Sequence, residues 1–312
     1  MASRRALIVL LVVFLIGCRP ATPPPSPADQ TQAAPSTDIV STGNAATSTS
    51  VPEEAMQLRS ADYQLGATDS LQVVQFTDGK FEQGTPGSDD YLSITATEFV
   101  AVGDLNGDGT DEAAMLVSEN YGGTGVFVFL AVYADVDGTL TFQASTIVDD
   151  RPQLNALAIE NGEIFLDAVI HGPDEPMCCP TLRTTRHYRW VDNQFDMVDY
   201  TTFTPDGKPR TITIESPESG SDVYSSVPIK GSVAIAPFEN NLAYRIFDVS
   251  GIELAAGPIA VTAADLGAPG TFDTVIQLGN ALSDTVIRIE VQDLSAADGS
   301  LLAMDSVELV VK

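Results

Sequence analysis

Basic side chains are scarce in this sequence. Fifteen Lys and Arg stand against 43 Asp and Glu in 312 residues, a formal net charge of −28. That balance argues against binding nucleic acid, or an anionic membrane surface, through a basic face. It suits binding of divalent cations or solubility in a salty exterior. Histidine is nearly missing: only His171 and His187 are present for proton transfer near neutral pH. No Gly-x-Ser-x-Gly elbow occurs, and Gly122-Gly123-Thr124-Gly125 lacks the Lys-Ser/Thr of a phosphate loop, so it reads as a turn. A glycosidase pair such as Glu98 with Asp150 is conceivable, but nothing singles out one pair among 43 acids. Asp149-Asp150-Arg151 reads as a surface ion pair. These absences point to a chain without coherent catalytic machinery.

Apolar runs of membrane-spanning length are missing too. Residues 6–16 form an apolar run of eleven behind Arg4 and Arg5, whereas a spanning helix needs about twenty. The run reads as the core of a signal peptide. It ends in Leu15-Ile16-Gly17-Cys18, which resembles the lipobox of bacterial lipoproteins. That resemblance implies removal of residues 1–17, diacylglycerol transfer to the Cys18 thiol and acylation of the new amine. Two or three acyl chains suffice for stable anchoring. Position 19 is Arg, not the Asp of the usual inner-membrane retention signal. The expected location is extracytoplasmic, on a lipid anchor at the cell surface or the periplasmic face of a membrane.

Residues 18–55 are dominated by Pro, Ala, Ser, Thr and Gln, beginning Pro20-Ala21-Thr22-Pro23-Pro24-Pro25. Such a composition builds no core and reads as a disordered tether. Fully extended at about 3.1 Å per residue, it would reach ~110 Å.

The remainder is mainly β in pattern, with no long helical period. Residues 56–203 read as an antiparallel β domain. Residues 71–76 and 80–82 flank Asp78-Gly79, and residues 154–159 and 164–170 flank Asn161-Gly162, two hairpin signals. Residues 126–134 are nearly all apolar, as a central strand covered on both faces requires. Further strands are expected at 99–102, 113–117, 140–148, 186–191 and 195–198. A second module spans 211–312, with strands at 211–215, 227–234, 242–249, 272–278, 286–293 and 301–311. Turn signals every ten residues or so suggest an immunoglobulin-like β-sandwich. It lacks the Cys pair of antibody domains, so packing must supply its cohesion.

Ser216-Pro217, Gly220, Pro228, Gly231, Phe238-Glu239-Asn240, Gly251, Phe272 and Asp293-Leu294-Ser295 with Asp298-Gly299 resemble the immunoglobulin-like domain of bacterial spore germination, found beside GerMN modules. The resemblance covers residues 211–312. It implies an exported β-sandwich of uncertain binding role, with no catalytic residues to transfer. No GerMN module precedes it here.

The sharpest motif is Asp104-Leu105-Asn106-Gly107-Asp108-Gly109-Thr110-Asp111-Glu112. Calcium takes six to eight hard oxygens around a tight loop. Asp104, Asn106 and Asp108 alternate so that three side-chain oxygens face inward, and the Thr110 carbonyl offers a fourth. Met115 stands where an EF-hand has its bidentate acid, so Glu112 is the expected replacement. The spacing resembles the calcium loops of FG-GAP and VCBS-type repeats, although one copy does not imply their propeller. A polar turn without metal is the competing reading. This loop, together with residues 174–190, also resembles an uncharacterised domain of exported bacterial lipoproteins, running from about residue 56 to 200.

Cys178 and Cys179 remain once Cys18 is lipidated. Outside the cytoplasm they are expected to oxidise if geometry allows, as a vicinal disulfide braced by Pro176 and Pro180. Two unpaired thiols in a buried strand end, or a redox or zinc/copper site with His171 and His187, are the alternatives.

The functional expectation is a non-catalytic surface lipoprotein. Calcium stabilises it, and it binds or scaffolds an envelope protein or glycan. A polysaccharide-active envelope enzyme and a thiol-redox protein using the Cys pair are the rivals.

Overall fold

In a computed structural model the described residues are 53–67, 72–191, 194–278 and 284–312. The expected signal peptide, Cys18 and almost all of the expected tether lie outside them. Among the described residues no helix is long and apolar enough to cross a membrane. Ser50–Lys312 forms one compact unit.

A short helix, α1 (Glu53–Leu58), and a small antiparallel pair, β1 (Asp62–Gln64) with β2 (Val73–Gln75), precede a five-stranded sheet. Its strands run in sequence order: β3 (Lys80–Gln83), β4 (Leu92–Gly103), β5 (Glu112–Asn120), β6 (Phe127–Val136) and β7 (Thr139–Asp150). Next come β8 (Gln153–Glu160), β9 (Glu163–Ile170), β10 (Leu182–Val191) and β11 (Gln194–Thr202), paired in that order.

Alternation explains why the five-stranded sheet sits in the middle. Met115, Val117, Ala131 and Tyr133 face Leu58, Tyr63 and Phe76 from the helix and small pair. Ala114, Leu116, Leu130 and Val132 face Ile164, Leu166, Tyr188 and Trp190 of β9 and β10. Strands β5 and β6 are therefore apolar on both sides, as a strand with no solvent face must be. Each fully buried Leu, Val or Met contributes about 1.5–3 kcal/mol.

The second module contains β12 (Ile212–Ser216), β13 (Ser221–Val223), β14 (Ser226–Val233), β15 (Asn241–Asp248), β16 (Glu253–Ala260), β17 (Thr262–Ala263), β18 (Gly270–Gln277), β19 (Thr285–Leu294) and β20 (Leu301–Val311). One layer is the four-stranded sheet β12-β14-β18-β17, and the other contains β16-β15-β19-β20. Val227, Ile229 and Phe272 from the first layer pack on Ile246, Ile287, Ile289 and Leu309 from the second. Gly231 has a specific steric reason. A Cβ there would lie 2.1 Å from the Thr213 carbonyl oxygen and 2.3 Å from the Phe272 ring. The Ser216-Pro217 peptide bond is cis.

The two modules share a sheet. Strand β20 pairs with β11 through Ala303–Asp305 and, further along, with β13 in parallel through Leu309–Val311. The result is a nine-stranded sheet ordered β16-β15-β19-β20-β11-β10-β9-β8, with β13 beside β20.

Local turns form as expected, although partners differ at one of them. Asn161 and Gly162 take φ of 55° and 78° between β8 and β9. Asp78 and Gly79, with φ of 52° and 77°, also turn the chain, and Thr77 bridges Lys80. However, β2 then pairs with β1 while β3 pairs with β4, so that turn joins two sheets.

Candidate functional site

The loop between β4 and β5 is organised by its own acidic side chains. Asp104 accepts from the backbone N–H of Gly107 at 2.7 Å and of Gly109 at 3.0 Å, one through each carboxylate oxygen. Asn106 Oδ1 accepts from Asp108 N–H at 2.8 Å, and Asp108 Oδ1 from Thr110 N–H at 2.7 Å. These are successive Asx turns. Positive φ at Gly107 and Gly109, 78° and 86°, permits them. Glu112 opens β5 and is 2% exposed. Its Oε2 accepts from Leu105 N–H and its Oε1 from the Asn106 amide, both at 2.9 Å.

The electrostatics of the loop are one-sided. Burial raises the Glu112 carboxyl, and the charges of Asp108 and Asp104 push it the same way. Asp108 is held below the ordinary carboxylate range chiefly by the Thr110 N–H. Among the described residues no three His, Cys, Asp or Glu side chains converge as a metal cluster. The acids turn back onto the loop's own N–H groups instead. The donor chemistry nonetheless fits calcium. All the oxygens are hard, each accepting oxygen keeps a second lone pair, and the shifted acid responds to like charge.

Cys178 and Cys179 lie on the connection from β9 to β10, exposed, with their sulfurs bonded to each other. The segment is an irregular loop, so the buried strand end is not where the pair sits. Cys179 N–H closes a turn on the Pro176 carbonyl at 3.2 Å. Glu175 clamps the base of the loop, accepting from Gly172 N–H at 3.0 Å, Thr181 N–H at 2.9 Å and the Thr181 hydroxyl.

The histidines are engaged elsewhere. His171 Nδ1 lies 3.0 Å from Asp149 Oδ2, which also accepts the His171 backbone N–H at 2.7 Å; His187 Nδ1 lies 3.1 Å from Glu163 Oε2. Asp150 pairs with Arg151 at 2.8 Å. A groove of about 760 Å³ runs beside the Cys loop, lined by His171, Glu175, Arg183, Tyr200, Phe203 and Leu302 among others.

A third constellation has no local signature in the sequence. Glu163, His187, Asp199 and Asp305 line a second cleft, of about 490 Å³. These residues come from β9, β10, β11 and β20, and only the pairing of distant strands brings them together. Burial raises Asp199 to about 6, and the charge of Asp305 adds to the shift. Burial likewise raises Asp305 to about 6, against the lowering effect of the Ile214 and Ser306 N–H groups. The hydrogen bond to Glu163 raises His187 above the usual imidazole range.

Comparison with known families places one part of the chain. Residues 211–300 match the immunoglobulin-like domain of bacterial spore germination. Within that segment lie the sterically required Gly231 and the Phe238–Asn240 turn, where Glu239 and Asn240 both take positive φ. Strand β20 follows the matched segment and completes the sandwich. No curated protein matches the chain.

Proposed function

We propose that this chain is a lipoprotein anchored through Cys18 outside the cytoplasm, whose β body acts as a non-catalytic binding or scaffold module of the cell envelope. The observation that carries the reading is the match of residues 211–300 to an immunoglobulin-like domain of bacterial spore germination. The sequence resemblance implies that such domains are exported, and the lipobox-like Leu15-Ile16-Gly17-Cys18 agrees with export. An envelope protein or a glycan is the partner class. Mass analysis of the membrane fraction tests the anchor: a diacylated or triacylated Cys18 at the mature amino terminus supports it. An uncleaved, unmodified chain in the cytosol overturns it.

Calcium stabilises the body in this reading. Asp104, Asn106, Asp108, the Thr110 carbonyl and Glu112 would hold the ion, and a bound ion would supply the positive charge the loop lacks. The test is a melting curve with calcium and with chelator. Chelation should lower Tm, and Asp108→Ala should abolish that response. A curve indifferent to chelator removes the metal from the proposal.

The exposure of Cys178 and Cys179 favours one second reading, a thiol-disulfide exchange role. Mass spectrometry with and without reductant, under thiol alkylation, tests it. Two free thiols in the oxidised preparation would exclude it.

A further inference from the structure

Strands β11 and β20 form the ladder joining the modules, through three register pairs: Asp199 with Asp305, Tyr200 with Met304, and Thr201 with Ala303. At the first pair two carboxylates stand opposite each other on one face. Directly opposed residues in an antiparallel pair have Cβ atoms about 4.5–5.5 Å apart, and like charges there weaken the ladder. The row extends sideways: His187 on β10 is the register partner of Asp199, and Glu163 on β9 contacts His187 at 3.1 Å. Strand β12 adds no charge from its side of the cleft; it contributes Ile212 and Thr213, with Thr211 just before them. The cleft lining contains no Lys or Arg. Glu160 also acts on His187.

Asp305 is bound into the backbone. Its Oδ2 accepts the Ile214 N–H at 2.6 Å and its Oδ1 the Ser306 N–H at 2.8 Å. It therefore stays opposite Asp199. The other ties across the joint are Thr202 Oγ1 to the Leu302 carbonyl at 2.6 Å, Ser306 Oγ to the Val198 carbonyl at 2.9 Å, and the ion pairs Arg189–Glu308 and Arg288–Asp196. Hydroxyls and arginines do not titrate between about pH 5 and 8. The carboxylate row is what varies in that range.

We propose that the joint between the two modules is a proton-operated latch, in which a proton shared by Asp199 and Asp305 tightens the β11–β20 ladder and its loss loosens the ladder while each module stays folded. Burial raises both carboxyls to about 6 when the ladder is closed, with the charge of Asp305 adding to the shift at Asp199 and that of Glu163 at Asp305. The sign follows from linkage. A closed state that holds its proton more tightly than the open state gains stability as pH falls from about 6 toward the ordinary carboxylate value near 3.8. His187, raised by Glu163, works in the same direction, since its charged form favours the closed row and is lost as pH rises. The pair titrates jointly, so one shared proton is the proper unit. Moving such a group from 3.8 to about 6 makes opening roughly tenfold easier at pH 7.5 than at pH 5.0.

Amide hydrogen exchange on the full chain, corrected for the intrinsic pH dependence of exchange, reads this directly. Peptides covering β11 and the first half of β20 should lose about tenfold in protection between pH 5.0 and 7.5, while β5 and β6 stay level. Asp199→Asn should flatten the β11–β20 profile at its protected level, and Asp305→Asn provides an independent second variant. Protection that tracks β5 and β6 at every pH would overturn the latch. So would an Asp199→Asn protein that keeps the wild-type pH dependence.

Discussion

The Tyr63 hydroxyl donates a 2.6 Å hydrogen bond to Glu119, which lies 56 residues away at the end of β5. Glu119 is fully buried and also accepts the Gly66 N–H at 2.8 Å, the Ala67 N–H at 3.1 Å and the Tyr121 hydroxyl at 2.6 Å. One carboxylate thus ties the β1–β2 pair to the central sheet. Burial and the adjoining carboxylate raise both tyrosines, so both remain protonated donors.

Removing this carboxylate leaves four donors without an acceptor. Glu119→Ala should destabilise the protein by about 3–5 kcal/mol. Glu119→Gln keeps the volume and one accepting oxygen and should lose less. Urea unfolding followed by Trp190 fluorescence checks the order. Equal stability of Glu119→Ala and wild type would show that the network does not hold the pair.

Gly231 should not tolerate a methyl group. Its Cβ would meet a backbone carbonyl, which cannot swing aside. Gly231→Ala should cost at least about 1–3 kcal/mol, the usual scale for overpacking. Gly257→Ala is the comparison: on the edge strand β16 its nearest neighbours would be atoms of the Tyr244 side chain, from 2.7 Å. Thermal melts should place Gly231→Ala well below Gly257→Ala, and the reverse order would contradict the steric argument.

The acidic loop separates two contributions. Asp104 bridges Gly107 and Gly109, so Asp104→Ala should destabilise the loop by about 1–3 kcal/mol even under chelator. Asp108 is exposed and accepts from the Thr110 N–H, with the Thr110 and Asn106 side chains also against it, so Asp108→Ala should act chiefly on the calcium response. With calcium at a hundred times its Kd, that response corresponds to about 2.7 kcal/mol. Paired melts with and without chelator on both variants provide the check.

Acid stability should have an optimum rather than a plateau. Asp150 and Asp167 are pulled below the ordinary range against their own burial, by Arg151 and the Val126 N–H in one case and by Arg183 and Asn155 in the other. Their stabilisation is present above the unfolded carboxylate value and is lost as pH falls through the depressed folded values. Asp199 and Asp305 act oppositely, favouring the fold as pH drops from about 6. Tm should therefore peak between about pH 4 and 6. A Tm rising steadily from pH 5 to 8 would contradict this balance.

Much of the fold was legible because it is local. Asn161-Gly162 adopts the positive φ values that the pair suggested, and the apolar run at 126–134 became β6, buried on both faces. The first half of β4 was missed although Leu92, Ile94 and Ala96 alternate inward, because Thr and Ser fill the other face. Strand β16 was missed because Gly257 and Pro258 interrupt it, residues that an edge strand accepts. Long-range pairing was the invisible part. Nothing near Asp199 announces that Asp305 will stand opposite it, so the carboxylate row could not be read from spacing. The acidic loop was visible as a motif, but the inward turn of Glu112 toward Leu105 and Asn106 depends on where β5 begins.

The shared strand β20 bears on how the chain reaches its final form. Thr202 and Leu302, joined across the seam, are 100 positions apart. A chain that appears amino end first would carry β11 with a bare backbone edge until those later residues arrive. Open edges of that kind recruit strands from neighbouring copies. How soon β20 follows, or a chaperone covering β11, would then decide how much of this protein assembles correctly and how much is lost to association between chains.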